Sequence, residues 1–453
     1  MPSLWIRNVR LLDPSQGLNT VGSLVVQNGS IQRILTGKDD TDVRAEAVIE
    51  ASGLVLAPGF IDLHCHLREP GEEYKETIAT GTLAAARGGF TTVCCMPNTQ
   101  PPIDDVASVE YILDTAKREG KVRVHPIACV SRGRKGKELV EMAELAKAGV
   151  VGFSDDGSPV YDTQLMRSAL SYGLLTGLPV MDHCEEPSLV AGGCMNEGPV
   201  ATLLGLRGVS SESEEALVAR DIALAKLTGG WVHICHVSTR GSADLIRRAK
   251  NEGIRVTTEV TPHHLTLTDE WVMGHADGKP LSAPVTPSAY DTSARVAPPL
   301  RSQADTEALV DALREGVIDA IATDHAPHDA ISKATTFESA ASGISCFETA
   351  FGSLMGLVHS GRLSLSQVVE RLTSGPARLL GERYAERSTL KEGTVADLVL
   401  LDPEREWAVN AAAFASKGKN TPLDGVTLKG KVVATIVGGE LAYMDDTLKL
   451  SGK

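Results

Sequence analysis

The sequence predicts an α/β protein that combines a (β/α)8 TIM-type barrel with a small composite β-sandwich domain formed by the N- and C-terminal segments. Three observations support this prediction. Short β-branched runs alternate with helical stretches in the middle of the chain, and eight such βα units can be counted. Runs that alternate apolar and polar residues lie instead at the two ends. Eight units are enough to close a parallel sheet into a barrel.

The two ends of the chain share the pattern of strands and hairpins. Apolar and polar residues alternate between positions 4 and 26, and Asn28-Gly29 is a turn signal. The same pattern returns after about residue 388, for example in residues 431–437. We therefore expect both ends to form one small β domain, so that the chain divides into residues 1–57 (N-terminal part of the β domain), 58–375 (barrel) and 376–453 (C-terminal part).

The eight predicted barrel strands end close to residues that are mostly polar. Their ends lie near His64, Met96, Val130, Asp155, His183, His236, Thr261 and Asp324, with helices such as 76–87, 214–227 and 305–315 between them. In a barrel of parallel strands all these ends open onto one face, where active sites lie. An open doubly wound sheet is the alternative, but the chain has no G-x-G-x-x-G after an early strand and no G-x-x-x-x-G-K-[ST].

The composition argues against several classes of protein. The 453 residues carry a formal net charge of -14, and an acidic surface repels nucleic acid and anionic membranes. The basic stretch 132–137 lacks aromatic residues and is interpreted as a solvated loop. No run of about eighteen apolar residues occurs, and the eight cysteines include no C-x-x-C pair. We expect a cytoplasmic protein with reduced thiols, no membrane span and no nucleic-acid partner.

The first predicted barrel strand ends in a pair of histidines. His64 and His66 are separated by one residue, so both imidazoles point to the same side of an extended backbone. This spacing suits joint ligation of one metal ion. The alternative is a pair of buried histidines held by hydrogen bonds, and the two residues alone do not decide between these interpretations.

Three further metal-competent residues lie at the ends of other predicted strands, namely His183, His236 and Asp324. Independent core histidines would not all select one face of a barrel. Imidazole and carboxylate ligands without thiolates suit zinc, ahead of manganese, cobalt or iron, and ligands from separate strands leave coordination positions open for water. The pattern therefore indicates a catalytic metal site.

Several short motifs occur together and in order along the chain. They are His64-Cys65-His66-Leu67-Arg68-Glu69-Pro70-Gly71, Met96-Pro97-Asn98-Thr99, Asp155-Asp156-Gly157-Ser158-Pro159, Asp182-His183-Cys184-Glu185 and Thr323-Asp324-His325-Ala326-Pro327-His328. With these motifs the chain resembles the amidohydrolase superfamily and, within it, the bacterial type I dihydroorotases, as far as about residue 440. The resemblance implies a hydrolase that interconverts L-dihydroorotate and N-carbamoyl-L-aspartate in pyrimidine biosynthesis.

The resemblance also implies two divalent metal ions, with zinc favoured, held by His64, His66, Asp156, His183, His236 and Asp324. Relatives bridge the two ions with a carboxylated lysine or an aspartate after the fourth strand, and no lysine lies between Ala148 and Tyr161. The resemblance selects Asp156 for this place. An Asx turn is the alternative for an Asp-Asp-Gly sequence, and for Asp155 we prefer it.

A mechanism and a substrate pocket follow as expectations. Water between the metals, acidified to hydroxide, attacks the ring amide, and Asp324 carries its proton to the leaving nitrogen. Arg68 holds the substrate carboxylate, because a guanidinium binds a carboxylate through two parallel hydrogen bonds; its alternative is an exposed strand-end arginine. By resemblance, Asn98 and His328 also bind the substrate. The alternative for Asn98 is a turn cap, and the alternative for His328 is an ordinary loop histidine. The resemblance also implies that the backbone of Ser342 and Gly343 contacts the substrate ring.

One departure from the family bears on the substrate. Relatives have an asparagine before Pro298-Pro299-Leu300-Arg301 that helps to hold substrate, and this chain has Ala297, which leaves affinity or substrate identity open. Another cyclic amidase (an allantoinase or a hydantoinase) stays an alternative, although such relatives usually carry the bridging lysine. A noncatalytic scaffold for aspartate carbamoyltransferase is the second alternative, although such chains typically lose metal ligands. The resemblance suggests a homodimer and aspartate carbamoyltransferase as a partner.

Overall fold

A computed structural model describes residues 3–37, 43–276, 278–281 and 289–452. The strands in these ranges are β1 (Leu4–Asp13), β2 (Leu18–Gln27), β3 (Ser30–Leu35), β4 (Ala47–Glu50), β5 (Val55–Pro58), β6 (Phe60–Cys65), β7 (Phe90–Cys95), β8 (Arg123–Pro126), β9 (Val180–Asp182), β10 (Met195–Asn196), β11 (Gly208–Val209), β12 (Val232–Ile234), β13 (Val256–Val260), β14 (His275–Ala276), β15 (Lys279–Pro280), β16 (Ala320–Ile321), β17 (Leu398–Ala408), β18 (Thr427–Val437), β19 (Glu440–Met444) and β20 (Leu450–Gly452). The helices are α1 (Ile78–Arg87), α2 (Val106–Glu119), α3 (Met142–Ala148), α4 (Thr163–Thr176), α5 (Pro187–Val190), α6 (Pro199–Leu204), α7 (Glu212–Thr228), α8 (Arg240–Asn251), α9 (Pro262–Thr266), α10 (Gln303–Glu315), α11 (Ala330–Lys333), α12 (Ala350–His359), α13 (Leu365–Leu372), α14 (Ser374–Leu380) and α15 (Glu382–Ala385).

Seven parallel strands and one bridging segment close the barrel. β6, β7 and β8 form one parallel sheet, and β9, β12, β13 and β16 form another. Phe153 pairs in parallel with Ala128 and Val180, which joins the two sheets at one edge. A parallel bridge between Cys65 and His325 joins them at the other edge. The predicted barrel is thereby confirmed.

The fourth strand of the barrel is shorter than the sequence suggests. It is represented by Phe153, whose N–H donates to the carbonyl of Pro179 and whose carbonyl accepts from Met181. Two residues later the Asp155 carbonyl accepts a hydrogen bond from the Ser158 N–H. A turn therefore begins where the sequence predicts the end of the strand, and it carries Asp156 to the mouth of the barrel.

Caps and glycines determine where the barrel helices begin and end. The side chains of Thr77, Asp105 and Ser302 accept hydrogen bonds from backbone N–H groups at the starts of α1, α2 and α10. Gly177 and Gly229 end α4 and α7 with a φ of 73° each, a conformation that glycine adopts without strain. These local signals explain why α1, α7 and α10 lie close to the helices predicted at 76–87, 214–227 and 305–315.

The two ends of the chain form one branched sheet of nine strands. Its order is β19-β18-β17-β5-β1-β2-β3, and β4 pairs with both β1 and β20. The link between the two ends is the antiparallel pairing of β17 with β5. Side chains from both ends, such as Ile6 and Leu400, are fully buried in a core of their own. The composite β domain is confirmed in this branched form, whereas the exact boundaries after residues 57 and 375 stay predictions.

The barrel contains an apolar cluster built by its strands and the residues that follow them. Its members include Ile61, Leu63, Cys94, Met96, Ile127, Val151, Met181, Cys235, Ala320 and Ala322. All eight cysteines are buried and free, as expected of reduced thiols. Within the described ranges, no helix has the length and apolar character that a membrane span requires.

Candidate active site at the mouth of the barrel

The structure brings all six predicted ligands to the carboxyl ends of the barrel strands. Each of the six residues follows or ends a strand, or the bridging segment at Phe153, and each side chain is buried: His64, His66, Asp156, His183, His236 and Asp324. Because parallel strands place these ends at one face, residues that are up to 260 positions apart in the chain become neighbours.

Asp156 lies at the centre of this group. Its carboxylate oxygens are 3.4 Å from His64 Nε2, 3.6 Å from His66 Nε2, 3.6 Å from His183 Nδ1 and 3.5 Å from His236 Nε2. Asp324 Oδ1 lies 3.0 Å from His66 Nε2 and 3.6 Å from His64 Nε2. Four imidazoles and two carboxylates therefore share one small volume.

Three buried polar atoms of these six residues have no hydrogen-bond partner, His64 Nε2, Asp156 Oδ1 and His236 Nδ1, and the first two face each other at 3.4 Å. A buried polar atom without a partner costs about 1–3 kcal/mol, so native proteins rarely keep one without a use. Ligand atoms of two trios, His64/His66/Asp324 and His64/Asp156/His236, lie within 4.8 Å of one another. A divalent cation would satisfy these atoms, so the residues present fit a metal centre.

Both carboxylates are held in the ionised form. Burial alone would raise the pKa of Asp324, but the charge of His64 and the hydrogen bond with His66 outweigh burial and hold that pKa below its usual range. The pKa of Asp156 is lowered in the same way, because the charge of His64 and the contact with His183 outweigh burial. An ionised carboxylate can hold a cation or accept a proton.

Three site residues have a backbone conformation that is unusual for residues other than glycine. The φ angles are 60° at Arg68, 33° at His236 and 43° at Asp324. Such angles cost of the order of 1–3 kcal/mol each and occur mainly at functional sites. The backbone is therefore strained at three residues whose side chains line the cavity.

A cavity of about 290 Å³ opens next to the ligand cluster. The five residues predicted to contact substrate all line it: Arg68, Asn98, His328, Ser342 and Gly343. Arg68 is buried, with Nε donating to the Pro327 carbonyl at 3.3 Å and Nη2 lying 3.4 Å from His328 Nε2. The alternative of an exposed arginine is therefore wrong.

Hydrogen bonds determine which ring nitrogens carry protons at the cavity wall. His328 Nε2 lies 2.8 Å from the Ser342 carbonyl, which can only accept, so Nε2 carries the proton. Burial and the nearby charge of Arg68 lower the pKa of His328 to about 2, which keeps the ring neutral. Asn98 Oδ1 lies 2.8 Å from His66 Nδ1 and accepts a hydrogen bond from it, so in the neutral ring the lone pair lies on Nε2, where a cation could bind.

Two buried glutamates that the sequence analysis did not select contact the predicted ligands. Glu259 Oε1 lies 2.8 Å from His64 Nδ1, and Glu185 Oε2 lies 2.8 Å from His183 Nε2. Burial alone would raise the pKa of Glu259, but the contact with His233 and the hydrogen bond with His64 outweigh it and lower that pKa to about 2. The position of Glu185 two residues after His183 is a signal that could have been used.

Two more polar residues support the site from elsewhere in the chain. Asn420 donates to the carbonyls of Ala326 and Gly343 at 3.0 and 2.9 Å and accepts from the His328 N–H at 2.9 Å. Arg134, expected in a solvated loop, instead donates to the backbone carbonyl of Asp156. Neither residue has a local sequence signal for this role.

The structure also locates two residues about which the sequence left a question. The Asp155 carboxylate accepts hydrogen bonds from the backbone N–H groups of Val130 and Ser131, 25 and 24 positions away. It therefore stabilises a neighbouring loop, and the expected Asx turn, in which the side chain bonds the backbone two residues further on, is wrong. Ala297 lines the cavity beside Val296. The departure from the family therefore lies in the wall of the site itself.

Comparisons with known proteins identify the family. Residues 53–242 match the dihydro-orotase-like family and residues 204–443 match the amidohydrolase family. A dihydroorotase of Thermoanaerobacter sp. (strain X514) is 46% identical over 442 residues, which is 97% of each chain. A dihydroorotase of Caldanaerobacter subterraneus subsp. tengcongensis is 48% identical over 412 residues, 90% of this chain and 91% of that one.

The fold is also found in a solved structure. An L-hydantoinase (dihydropyrimidinase) from Arthrobacter aurescens superposes with a TM-score of 0.82 at 26% identity, covering 98% of this chain and 96% of that one. This likeness confirms a barrel with an accompanying β-rich domain. From the sequence matches over nearly its whole length, the chain belongs to the dihydroorotases, a family of metal-dependent amidohydrolases.

Proposed function

We propose that this protein hydrolyses L-dihydroorotate reversibly to N-carbamoyl-L-aspartate with two zinc ions at the mouth of the barrel. The observation that carries the proposal is the convergence of four imidazoles and two carboxylates around buried atoms that lack hydrogen-bond partners. The names of the relatives at 46–48% identity support the same reaction. Retention of every predicted ligand argues against a noncatalytic scaffold.

The residues that would hold the metals are the six predicted from the sequence, His64, His66, Asp156, His183, His236 and Asp324. When bound, the ions would acidify a water molecule and polarise the amide carbonyl of the substrate. His66 Nε2, which faces Asp324, and the unpartnered Nε2 of His64 are the atoms proposed for ligation on the first strand. Asp156 contacts all four imidazoles and is suited to link the two halves of the site.

Asp324 is proposed to move the proton. Its ionised carboxylate accepts the proton that the attacking water loses as the new C–O bond forms. The same proton passes to the ring nitrogen as the amide C–N bond breaks, so the leaving nitrogen departs neutral. His66 Nε2 lies 3.0 Å from Asp324 Oδ1, and this contact limits the orientation of the carboxylate.

The substrate carboxylate is proposed to bind on the side of the cavity away from the metals. Arg68 offers the guanidinium, Asn98 offers its amide N–H group, and His328 lies within contact distance of Arg68. Backbone groups of Ser342 and Gly343 complete the wall. Relatives have an asparagine where this wall has Ala297, so the wall lacks one side-chain amide. Another cyclic amide therefore stays the second candidate substrate.

The test combines metal content by mass spectrometry with absorbance-monitored hydrolysis. We expect two zinc ions per chain and turnover of L-dihydroorotate, with no turnover of dihydrouracil, hydantoin or allantoin. Asp156→Asn should lose metal and activity, whereas Asp155→Asn, its matched neighbour, should keep the metal. Turnover of a control substrate alone would assign a different cyclic amidase, and absence of both metal and turnover would support the scaffold.

The assembly and location are proposed separately. We expect a homodimer in the cytoplasm, and an association with aspartate carbamoyltransferase. Light scattering of the protein alone and after addition of purified aspartate carbamoyltransferase measures both assemblies. A monomeric mass in both samples would contradict this proposal without affecting that for the reaction.

A further inference from the structure

Two buried glutamates contact the ligand cluster. Glu185 lines the cavity, whereas Glu259 does not. It lies in β13 and is fully buried, with a hydrogen bond of 2.8 Å between Oε1 and His64 Nδ1. Its second oxygen, Oε2, lies 3.3 Å from His233 Nε2. The carboxylate therefore connects two histidines from different strands and has no route to the substrate.

The contacts continue from His233 to two further side chains. Trp231 Nε1 lies 2.8 Å from Thr257 Oγ1, and the same hydroxyl lies 3.0 Å from His233 Nδ1. The result is a series of contacts from Trp231 through Thr257, His233 and Glu259 to His64, in which the step between His233 Nε2 and Glu259 Oε2 lies outside hydrogen-bond geometry. Each member is on β12, β13 or β6, or directly before β12, so the rigid part of the barrel holds the series.

The chemistry of the end groups determines the direction of these hydrogen bonds. An indole N–H only donates, so the Thr257 hydroxyl accepts from Trp231 and is free to donate its own proton to His233 Nδ1. With that proton donated by the hydroxyl, His233 Nε2 carries the ring N–H and lies 3.3 Å from Glu259 Oε2, a contact without the geometry of a hydrogen bond. The other carboxylate oxygen accepts from His64 Nδ1, so in the neutral ring that a metal ion binds, Nε2 has no proton.

That unprotonated nitrogen is the atom that faces the other ligands. His64 Nε2 lies 3.4 Å from Asp156 and 3.6 Å from Asp324, and it has no hydrogen-bond partner. A metal-binding imidazole must present a lone pair, and a carboxylate on its other nitrogen fixes the tautomer and raises its basicity. The series of contacts meets both requirements.

We propose that Glu259, supported by His233, is a positioning residue that fixes His64 in the tautomer able to bind metal. The inference rests on the proposed function, because it takes His64 to be a metal ligand. It assigns no contact with substrate to Glu259. It accounts for an ionised glutamate and a second histidine inside the barrel, where neither group touches the cavity.

The experiment measures zinc affinity by competition with a chromophoric chelator, so that activity is not the only measurement. Glu259→Gln puts an amide with its own N–H donors against His64, and we expect zinc to bind about 10–100-fold more weakly. The fall should appear in kcat at limiting zinc, with KM for L-dihydroorotate unchanged. Glu348→Gln is the matched control, because it removes a largely buried carboxylate that contacts Arg87 and no proposed ligand.

A double-mutant cycle with His64→Ala separates the possible failures. If His64→Ala alone leaves zinc affinity unchanged, the proposed metal site is wrong. If His64→Ala weakens binding but Glu259→Gln does not, the metal site stands and the inference is overturned. If the two effects add fully in the double variant, Glu259 acts independently of His64 and the inference is likewise overturned.

A second variant guards against misfolding. Thermal melting of the metal-free proteins shows whether Glu259→Gln is folded. His233→Gln removes the distant support and leaves Glu259 in place, so it should weaken zinc binding several-fold, less than Glu259→Gln does. Unchanged zinc affinity in a folded His233→Gln variant would remove His233 from the proposal.

Discussion

The composite sheet and the mouth of the barrel both bury aspartates, but the two carboxylates differ in the hydrogen bonds that they accept. Asp13 in the sheet is fully buried, and its Oδ2 accepts three hydrogen bonds of 2.7 Å, from Gln16, Thr389 and the Leu390 N–H. Asp156 at the mouth is equally inaccessible, yet its Oδ1 has no hydrogen-bond donor. One carboxylate is satisfied by the fold and the other is not.

This difference separates structural from functional burial of charge. Hydrogen bonds from both ends of the chain stabilise Asp13, so its burial contributes to stability. The unpartnered atoms around Asp156 raise the free energy of the folded state, and a bound cation would remove this penalty. The strained φ angles of His236 and Asp324 add to the same penalty. Substitutions in the two regions should therefore affect different measurements.

The largest effect is expected from Asp324→Asn at the mouth. The amide cannot accept the proton from water, so kcat/KM for L-dihydroorotate should fall about 10²–10⁴-fold, the usual contribution of a general acid–base group. Steady-state kinetics measures this fall, and metal content of the same sample separates loss of proton transfer from loss of ligation. A variant that keeps both its metal and its full rate would contradict the role of Asp324.

A smaller effect is expected from Asn420→Ala. Asn420 connects the C-terminal segment with the mouth of the barrel. Asn420 belongs to the C-terminal segment but holds the backbone on either side of the cavity wall at Ala326, His328 and Gly343. Its loss should let both loops move, and a displacement of about 1 Å can cost up to about 10²-fold. We expect KM to rise by about tenfold or more, with metal content unchanged.

The exposed Asn410 provides the control for this variant. Asn410→Ala removes the same amide from the same segment and should leave KM unchanged. A loss of bound metal in Asn420→Ala would show that the asparagine acts on the ligands rather than on the substrate loops.

The sequence was sufficient to predict the ligand cluster because local pattern and position coincide there. His64, His183 and His236 each lie at the end of a buried apolar run, and the barrel topology brings all such ends together. The turn at Asp155 shows the limit of this reasoning. The predicted fourth strand is reduced to bridges at Phe153, although backbone hydrogen bonds to the neighbouring strands extend from Val151 to Ser154 and the turn begins at Asp155, where the pattern ends the strand.

The supporting residues could not be predicted because their partners are distant in the chain. Glu259 and His64 are 195 positions apart, and Asn420 and His328 are 92 apart. Arg134 was assigned to a solvated loop because its neighbours are basic and small, and its acceptor at Asp156 is 22 positions away. Such contacts depend on closure of the barrel and on the path of the C-terminal segment.

The smallest effect is expected from Asp13→Asn in the composite sheet. The amide has one accepting atom where the carboxylate accepts on both. With its oxygen in the place of Oδ2, which accepts from Gln16, Thr389 and Leu390, its NH2 group faces the N–H and hydroxyl of Ser15, which lose their acceptor Oδ1. We expect the free energy of unfolding to fall by about 1–2 kcal/mol at pH 7. Urea denaturation measures this fall, kcat/KM should not change, and Asp114→Asn on the exposed side of α2 serves as the control.

The stability difference between the wild type and Asp13→Asn should depend on pH if the charge of Asp13 causes it. Burial alone would raise the pKa of Asp13, but the hydrogen bonds from Gln16, Ser15, Leu390 and Thr389 outweigh burial and hold the pKa below its ordinary value of 3.8. A lowered pKa in the folded state stabilises the protein fully above the ordinary value, and this contribution is lost as pH falls through the folded pKa. The difference between the metal-free wild type and Asp13→Asn should therefore be constant from pH 7 to about pH 5 and shrink below 3.8. A difference that persists in strong acid would mean that Asp13 stabilises the sheet by packing rather than by its charge.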